Sequence, residues 1–167
     1  MGQSGVGVGG LGRTSGNHEA LVVGRRLVGE ERMLRFIIAY LATTLAFFSL
    51  DFVWLSTATS RFYRPMLGSL LLEKPNLGVA GLFYLVYVVG VVVFAVTPAI
   101  NAGSWTTALL QGALLGLIAY GTYDFTNLAT IKDWPAIVTI VDLAWGTAAT
   151  AISATVGYLI TQKLRGA

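Results

Sequence analysis

The chain has no cysteine. Disulfides, thiolate metal sites and cysteine nucleophiles are thereby excluded. Histidine is almost as scarce: the single one, His18, lies in a polar amino-terminal stretch, which argues against an imidazole metal site. No metal ligand set and no cofactor is expected. Charge is scarce too, at 11% of residues, where soluble domains carry roughly 25%. The net charge of +3 comes without a basic cluster beside exposed aromatics, so nucleic acid is not an expected partner.

What the chain has instead is length in its apolar runs. It is 55% hydrophobic, and its few charges gather in the tail, the connections and the last turn. A hydrocarbon core of ~30 Å demands about 20 apolar residues of a helix that crosses it. Four runs meet that demand, at about residues 34–58, 77–97, 105–130 and 135–160. In lipid every backbone polar group must be bonded internally, so these runs are helices. The short links force antiparallel neighbours. The predicted fold is an all-α membrane protein, an antiparallel four-helix transmembrane bundle spanning residues 33–162, whose partner is the lipid bilayer.

Residues 1–32 read differently. They form a Gly-rich, polar extension, disordered or weakly amphipathic, with no stable structure expected over 1–18 and a short interfacial helix over Leu21–Met33. Met1-Gly2 opens a myristoylation pattern that Val6 breaks, since Ser or Thr is needed there. Residues 163–167 are a short basic tail. Arg25, Arg26, Arg32, Arg35, Lys163 and Arg165 outnumber Arg61, Arg64, Lys74 and Lys132, which predicts that both termini face the cytoplasm. The loop Thr59–Asn76 mixes Arg61, Arg64 and Lys74 with Phe62, Met66 and Leu70–Leu72, and is expected to lie against the bundle. Pro65 and Gly68 should break any long helix there, and Thr97-Pro98 should end the second span. Asp133, just before Pro135, suits an N-cap. Small residues recur at four-residue spacing, Gly112/Gly116 in the third span and Ala149/Ser153/Gly157 in the fourth, as expected for close helix packing or for a homo-oligomer face.

Three aspartates stand inside the spans: Asp51, Asp124 and Asp142. Each lies six or seven residues from the same membrane face, which at 1.5 Å per residue puts all three roughly 10 Å deep. An ionised carboxylate facing lipid costs roughly 2.5–3.5 kcal/mol on insertion scales. The three should therefore face inward, meet, and favour protonation of at least one at neutral pH. Asn127 lies one turn from Asp124, with Tyr123 beside it. A local pattern repeats: Asp51-x-x-Trp54 and Asp142-x-x-Trp145 each put Asp and Trp on one helix face. With the helices antiparallel, the carboxylates would have an indole ring above and below them. Purely structural bonding between helices is the competing reading, but one Asn or Ser per helix would suffice for it. The candidate ligand-binding set is thus Asp51, Asp124, Asp142, Asn127, Tyr123, Trp54 and Trp145, with Arg61, Arg64 and Lys132 at its rim.

The runs Tyr123-Asp124-Phe125-Thr126-Asn127-Leu128-Ala129-Thr130, Lys132-Asp133-Trp134-Pro135 and Val141-Asp142-Leu143-Ala144-Trp145-Gly146-Thr147, with Leu50-Asp51-Phe52-Val53-Trp54-Leu55 in the first span, resemble a small membrane-protein family, domain of unknown function 2177. The resemblance covers about residues 33–162. It implies a four-helix membrane protein, largely bacterial, and names neither substrate nor catalytic residue. Three functions fit these residues. The first is binding or translocation of a cation, proton or small amphipathic ligand through the aspartate cluster. The second is a membrane-embedded lipid-modifying enzyme that uses the carboxylates as acid and base. The third is a helper subunit of a membrane complex.

Overall fold

In the computed structural model the described residues are Gly12–Arg165, and among them there is no strand. The chain divides into two units, Met1–Arg35 and Phe36–Ala167. Helix α1 (Gly12–Ala58) begins in the first of these, where Arg35 Nη2 bonds Glu31 Oε2 at 2.9 Å, one turn away. The helix thus starts inside the stretch 1–18 that was expected to lack structure, and residues 1–11 lie outside the described residues. After Gly16 the run Glu19-Ala20-Leu21 favours helix, and no proline stands before Pro65 to stop it.

The second unit holds the rest. After α1 come a π-turn (Thr59–Tyr63), α2 (Arg64–Leu67) and a 3₁₀ turn (Gly68–Leu70). The next helix is α3 (Leu77–Val91), a π-turn (Val92–Val96) and α4 (Thr97–Ala102), followed by α5 (Trp105–Thr130) and α6 (Ala136–Arg165). Two expectations about proline fail here. The first helix continues through Pro65 to Leu67, and the second through Pro98 to Ala102. The reason is common to both. A proline inside an α-helix removes a donor and drives its ring into the carbonyl four residues back. In each case a π-turn ends just before the X-Pro pair: Arg64 N–H bonds Thr59 O, and Thr97 N–H bonds Val92 O. The wider i→i+5 spacing absorbs the defect without ending the helix. The first helix stops only at Gly68, whose φ of 50° is a left-handed value that glycine takes at little cost.

The second and third helices join tightly. Gly103, at φ 62°, closes α4, with Ser104 N–H bonding Ala99 O at 3.1 Å and Gly103 N–H bonding Ile100 O at 3.3 Å. Ser104 then caps α5 through Thr107 N–H. The third link works differently from expectation. Asp133 is exposed at φ 58° and caps nothing, while Trp134 N–H bonds Ile131 O at 3.3 Å. The residue serves the turn by tolerating a left-handed backbone.

Neighbouring helices run antiparallel. Thr43 meets Gly157 and Asp51 meets Trp145, so numbers rise along α1 as they fall along α6. Between α5 and α6, Gly112 faces Ala154, Gly116 faces Gly146, and Asp124 O accepts from Thr139. Phe47 packs on Tyr87 and Asp51 on Tyr84, pairing α1 with α3. The core is small-residue and β-branched: Ala39, Val88, Val92, Val96, Ala108 and Ala154 are fully buried or nearly so. Large apolar side chains such as Leu45, Phe52, Leu82, Leu110, Leu114 and Ile140 point outward, as a lipid-facing surface requires. Among the described residues three helices are long and apolar enough to cross a membrane, Val22–Leu70, Leu77–Ala102 and Ala136–Leu164. α5 has 26 residues, about 39 Å at the helical rise, but Gln111, Asp124, Asn127 and its threonines lower its hydropathy.

The glycine stripes are spent inside the chain. A Cβ added at Gly116 would sit 2.8 Å from Thr150 Oγ1 and 2.9 Å from the Gly146 carbonyl carbon, and one added at Gly146 would fall on the Tyr120 ring. Ala149 and Ser153 are buried, and Gly157 takes the Thr43 hydroxyl where a side chain would be. The close packing of the third and fourth helices is as expected, and it buries these small residues within the chain. Gly116→Ala should cost about 1–3 kcal/mol, the usual cost of overpacking. Gly90→Ala, with nothing within 4 Å of its added methyl, should be neutral or stabilising. Unfolding of both variants in mixed micelles measures the difference. Asp133→Ala should cost ~1 kcal/mol, because alanine takes the left-handed backbone poorly, whereas Asp133→Asn should be silent.

Candidate functional site

The site is assembled from four helices and the end of the first loop. Asp51, on the buried face of α1, is 4% exposed. Its Oδ2 accepts the Tyr84 hydroxyl of α3, and its Oδ1 accepts Trp145 Nε1 of α6 at 3.4 Å. Asp142, half-buried on α6, accepts the Tyr63 hydroxyl, and Tyr63 in turn accepts Trp54 Nε1 at 3.1 Å. The two indoles stack, with centroids 4.5 Å apart and planes within 10°.

This arrangement follows from the repeat, though not as expected. In each helix Trp stands three residues after Asp, a rise of about 4.5 Å. Because α1 and α6 run in opposite directions, the two steps point opposite ways. Each tryptophan therefore comes level with the other helix's aspartate. Trp145 serves Asp51 directly, and Trp54 serves Asp142 through Tyr63. The rings stack between the carboxylates rather than lying above and below them.

Asp124 is different. It is 0% exposed on α5, and neither carboxyl oxygen has a hydrogen-bond partner. Its main chain is held: Trp134 Nε1 donates to Thr139 Oγ1 at 3.1 Å, and that hydroxyl donates to Asp124 O at 3.4 Å. Asp142 lies within charge-interaction range of both Asp124 and Asp51. Among the described residues no three His, Cys, Asp or Glu side chains come close enough together to hold a metal ion. The three aspartates thus share a neighbourhood, but only Asp51 and Asp142 are joined, through the aromatic bridge.

Other expected site residues scatter. Tyr123 is 59% exposed and turns its ring to Trp134 at 6.0 Å, so it does not line the carboxylates. The helical step of one residue from Asp124 swings it to the lipid side. Asn127 is half-buried, one turn from Asp124, and bonds no described side chain. Arg61 and Lys132 are exposed, and Arg64 Nη2 bonds Glu73 O at 3.0 Å. The loop lies partly against the helices, as expected: Leu67 is buried with Trp134 and Val138, and Phe62, Tyr63 and Leu71 pack on them, while Leu70 and Leu72 stay exposed.

Sequence reasoning missed the donors. Tyr84 and Tyr87 are the only ionisable groups in an otherwise apolar helix, and their i, i+3 spacing was the available signal for one shared inward face. Tyr87 bonds Thr150 Oγ1 at 2.9 Å. Tyr63 had no such signal, because an aromatic near a membrane face is ordinary there.

Fold and site together define a helical membrane protein with aspartates turned into its interior. The chain belongs to the family described as predicted membrane protein (DUF2177), whose model matches residues 36–159. No curated protein and no solved structure matches it.

Tyr63 carries two bonds at once, so its removal exposes the coupling. Tyr63→Phe should destabilise the protein by about 1–3 kcal/mol by stranding a carboxylate oxygen. In a double-mutant cycle with Asp142→Asn the two changes should fall short of additivity by at least ~0.5 kcal/mol. Additive effects on unfolding in micelles would show that the bond carries no energy.

Proposed function

We propose that this protein is a membrane protein that takes up and holds a proton at its interior aspartates, with Asp124 as the binding group. The observation that carries the reading is the Asp124 carboxyl, fully buried with both oxygens unpartnered. An ionised carboxylate so placed would cost several kcal/mol. The neutral acid avoids that cost. Asp51 and Asp142 contrast with it, since tyrosine and tryptophan donors bond their oxygens. A metal ion would need several converging oxygens, and the described residues do not supply them.

This reading takes α5 as a fourth crossing. Its two-residue link from α4 and short link to α6 support that course, as does the burial of Asp124. The excess of Arg and Lys near the two termini supports a cytoplasmic position for that side. Arg61, Arg64 and Lys132 would lie on the opposite face.

Infrared spectra of the full chain in nanodiscs test this. At neutral pH a carbonyl band of a protonated carboxylic acid, weakly hydrogen-bonded, should be present. It should vanish in Asp124→Asn and persist in Asp51→Asn. A wild-type spectrum with only ionised carboxylates at neutral pH would overturn the reading.

A further inference from the structure

One face of α6 carries polar or small residues along its whole length. Asp142, Gly146, Thr150, Ser153, Gly157 and Thr161 follow one another at steps of three and four, the helical repeat. From Asp142 to Thr161 the rise is about 28 Å, close to the ~30 Å hydrocarbon core. Thr150, Ser153 and Thr161 are buried, and α1 sets the buried Thr43 against Gly157. Most of the buried polar residues of the described chain lie on this line or beside the aspartates.

A stripe of small residues alone would mean close packing. A second observation points further. Threonines in these helices commonly satisfy their hydroxyl on the carbonyl four residues back, as Thr147, Thr150, Thr155 and Thr161 do. Thr43 and Thr44 of α1 and Ser153 of α6 do not: each hydroxyl oxygen is buried and has no partner. Thr43 lies against Gly157, away from the aspartates, with Thr44 next to it on α1 and Ser153 one turn from Gly157 on α6. Buried hydroxyls left unpaired in this way are the groups that bridging water satisfies. Between them and Asp51 stand Tyr84, bonded to Asp51, and Tyr87, bonded to Thr150, with Phe47 in contact with both tyrosines.

We infer that these groups form a second polar site, and that it connects the aspartates to the far membrane face, so that the protein conducts protons across the bilayer. The path runs from Asp142 to Asp51 and Tyr84 by way of water between the two carboxyls, since the Trp54 and Trp145 indoles donate an N–H but have no lone pair to accept a proton. It continues over Tyr87 and Thr150 to Ser153, Thr43 and Thr161. At each step an oxygen accepts a proton on one lone pair and releases its own to the next oxygen, so no charge or atom is lost. Where hydroxyls stand a helical turn apart, ~5.4 Å, one bridging water completes the step. The inference rests on the proton-binding reading of Asp124, which supplies the proton store at one end.

The test uses the full chain in liposomes with an entrapped pH dye and a potassium diffusion potential. Wild type should acidify the lumen faster than protein-free vesicles. Ser153→Ala and Thr43→Val should each slow that flux by roughly tenfold, as loss of one hydrogen-bonded step implies. Thr43→Ser, which keeps the hydroxyl, should retain it, and Thr126→Val, on an exposed threonine bonded to Thr122 O, should leave it unchanged. The Asp124 infrared band is read on the same samples. Flux no faster than in protein-free vesicles, with that band present, would overturn the path and leave the binding site standing. The same holds for equal flux in wild type, Ser153→Ala and Thr43→Val, or a current carried by sodium. A missing band would instead remove the reading on which the path rests.

Discussion

A polar group placed in hydrocarbon without a partner costs several kcal/mol, and most of this structure answers that constraint. Asp51 and Asp142 answer it with donors drawn from other helices, so each bond also fixes a helix pair. Thr147, Thr150 and Thr161 of α6 answer it within their own helix. The glycines answer it indirectly. By letting α5 and α6 approach backbone to backbone they bring polar side chains into reach of one another, and they replace the missing hydrophobic drive with dispersion contacts. Asp124 alone among the three aspartates is left without a donor, and that exception is what gives the interior a chemistry beyond packing.

Much of the architecture was legible because one physical rule governs it. Apolar run length set the third helix at Trp105–Thr130 and the start of the second at Leu77, both as expected. Proline was misleading. Pro65 and Pro98 read as stops, but whether a proline ends a helix depends on the backbone before it, and π-turns leave no mark in composition. Pro135 behaved as expected only because it precedes the first turn of α6. Asp133 shows a related limit. Asp is common both as an N-cap and at positive φ, and the two roles cannot be separated by residue type.

The aspartates' inward turn was legible from cost alone, and the paired Asp-x-x-Trp spacing was visible as a pattern. What the pattern meant depended on how two antiparallel helices are set in register. A shift of one turn would have taken each tryptophan out of level with the other helix's aspartate. Register here is set by contacts such as Thr43 on Gly157, whose significance appears only once the partner helix is known. Tyr63 illustrates the same point: it reaches Asp142 across 79 positions of sequence, from a π-turn. Tyr123, adjacent to Asp124 in sequence, faces away, because adjacency along a helix is not adjacency in space.

The account turns on the charge state of one carboxyl, and site-resolved carbon-13 NMR of labelled aspartate in bilayers reads that state directly. At neutral pH the Asp124 carboxyl resonance should fall in the range of a neutral acid, and it should be absent from the Asp124→Asn variant. An Asp124 resonance in the carboxylate range across neutral pH would contradict it.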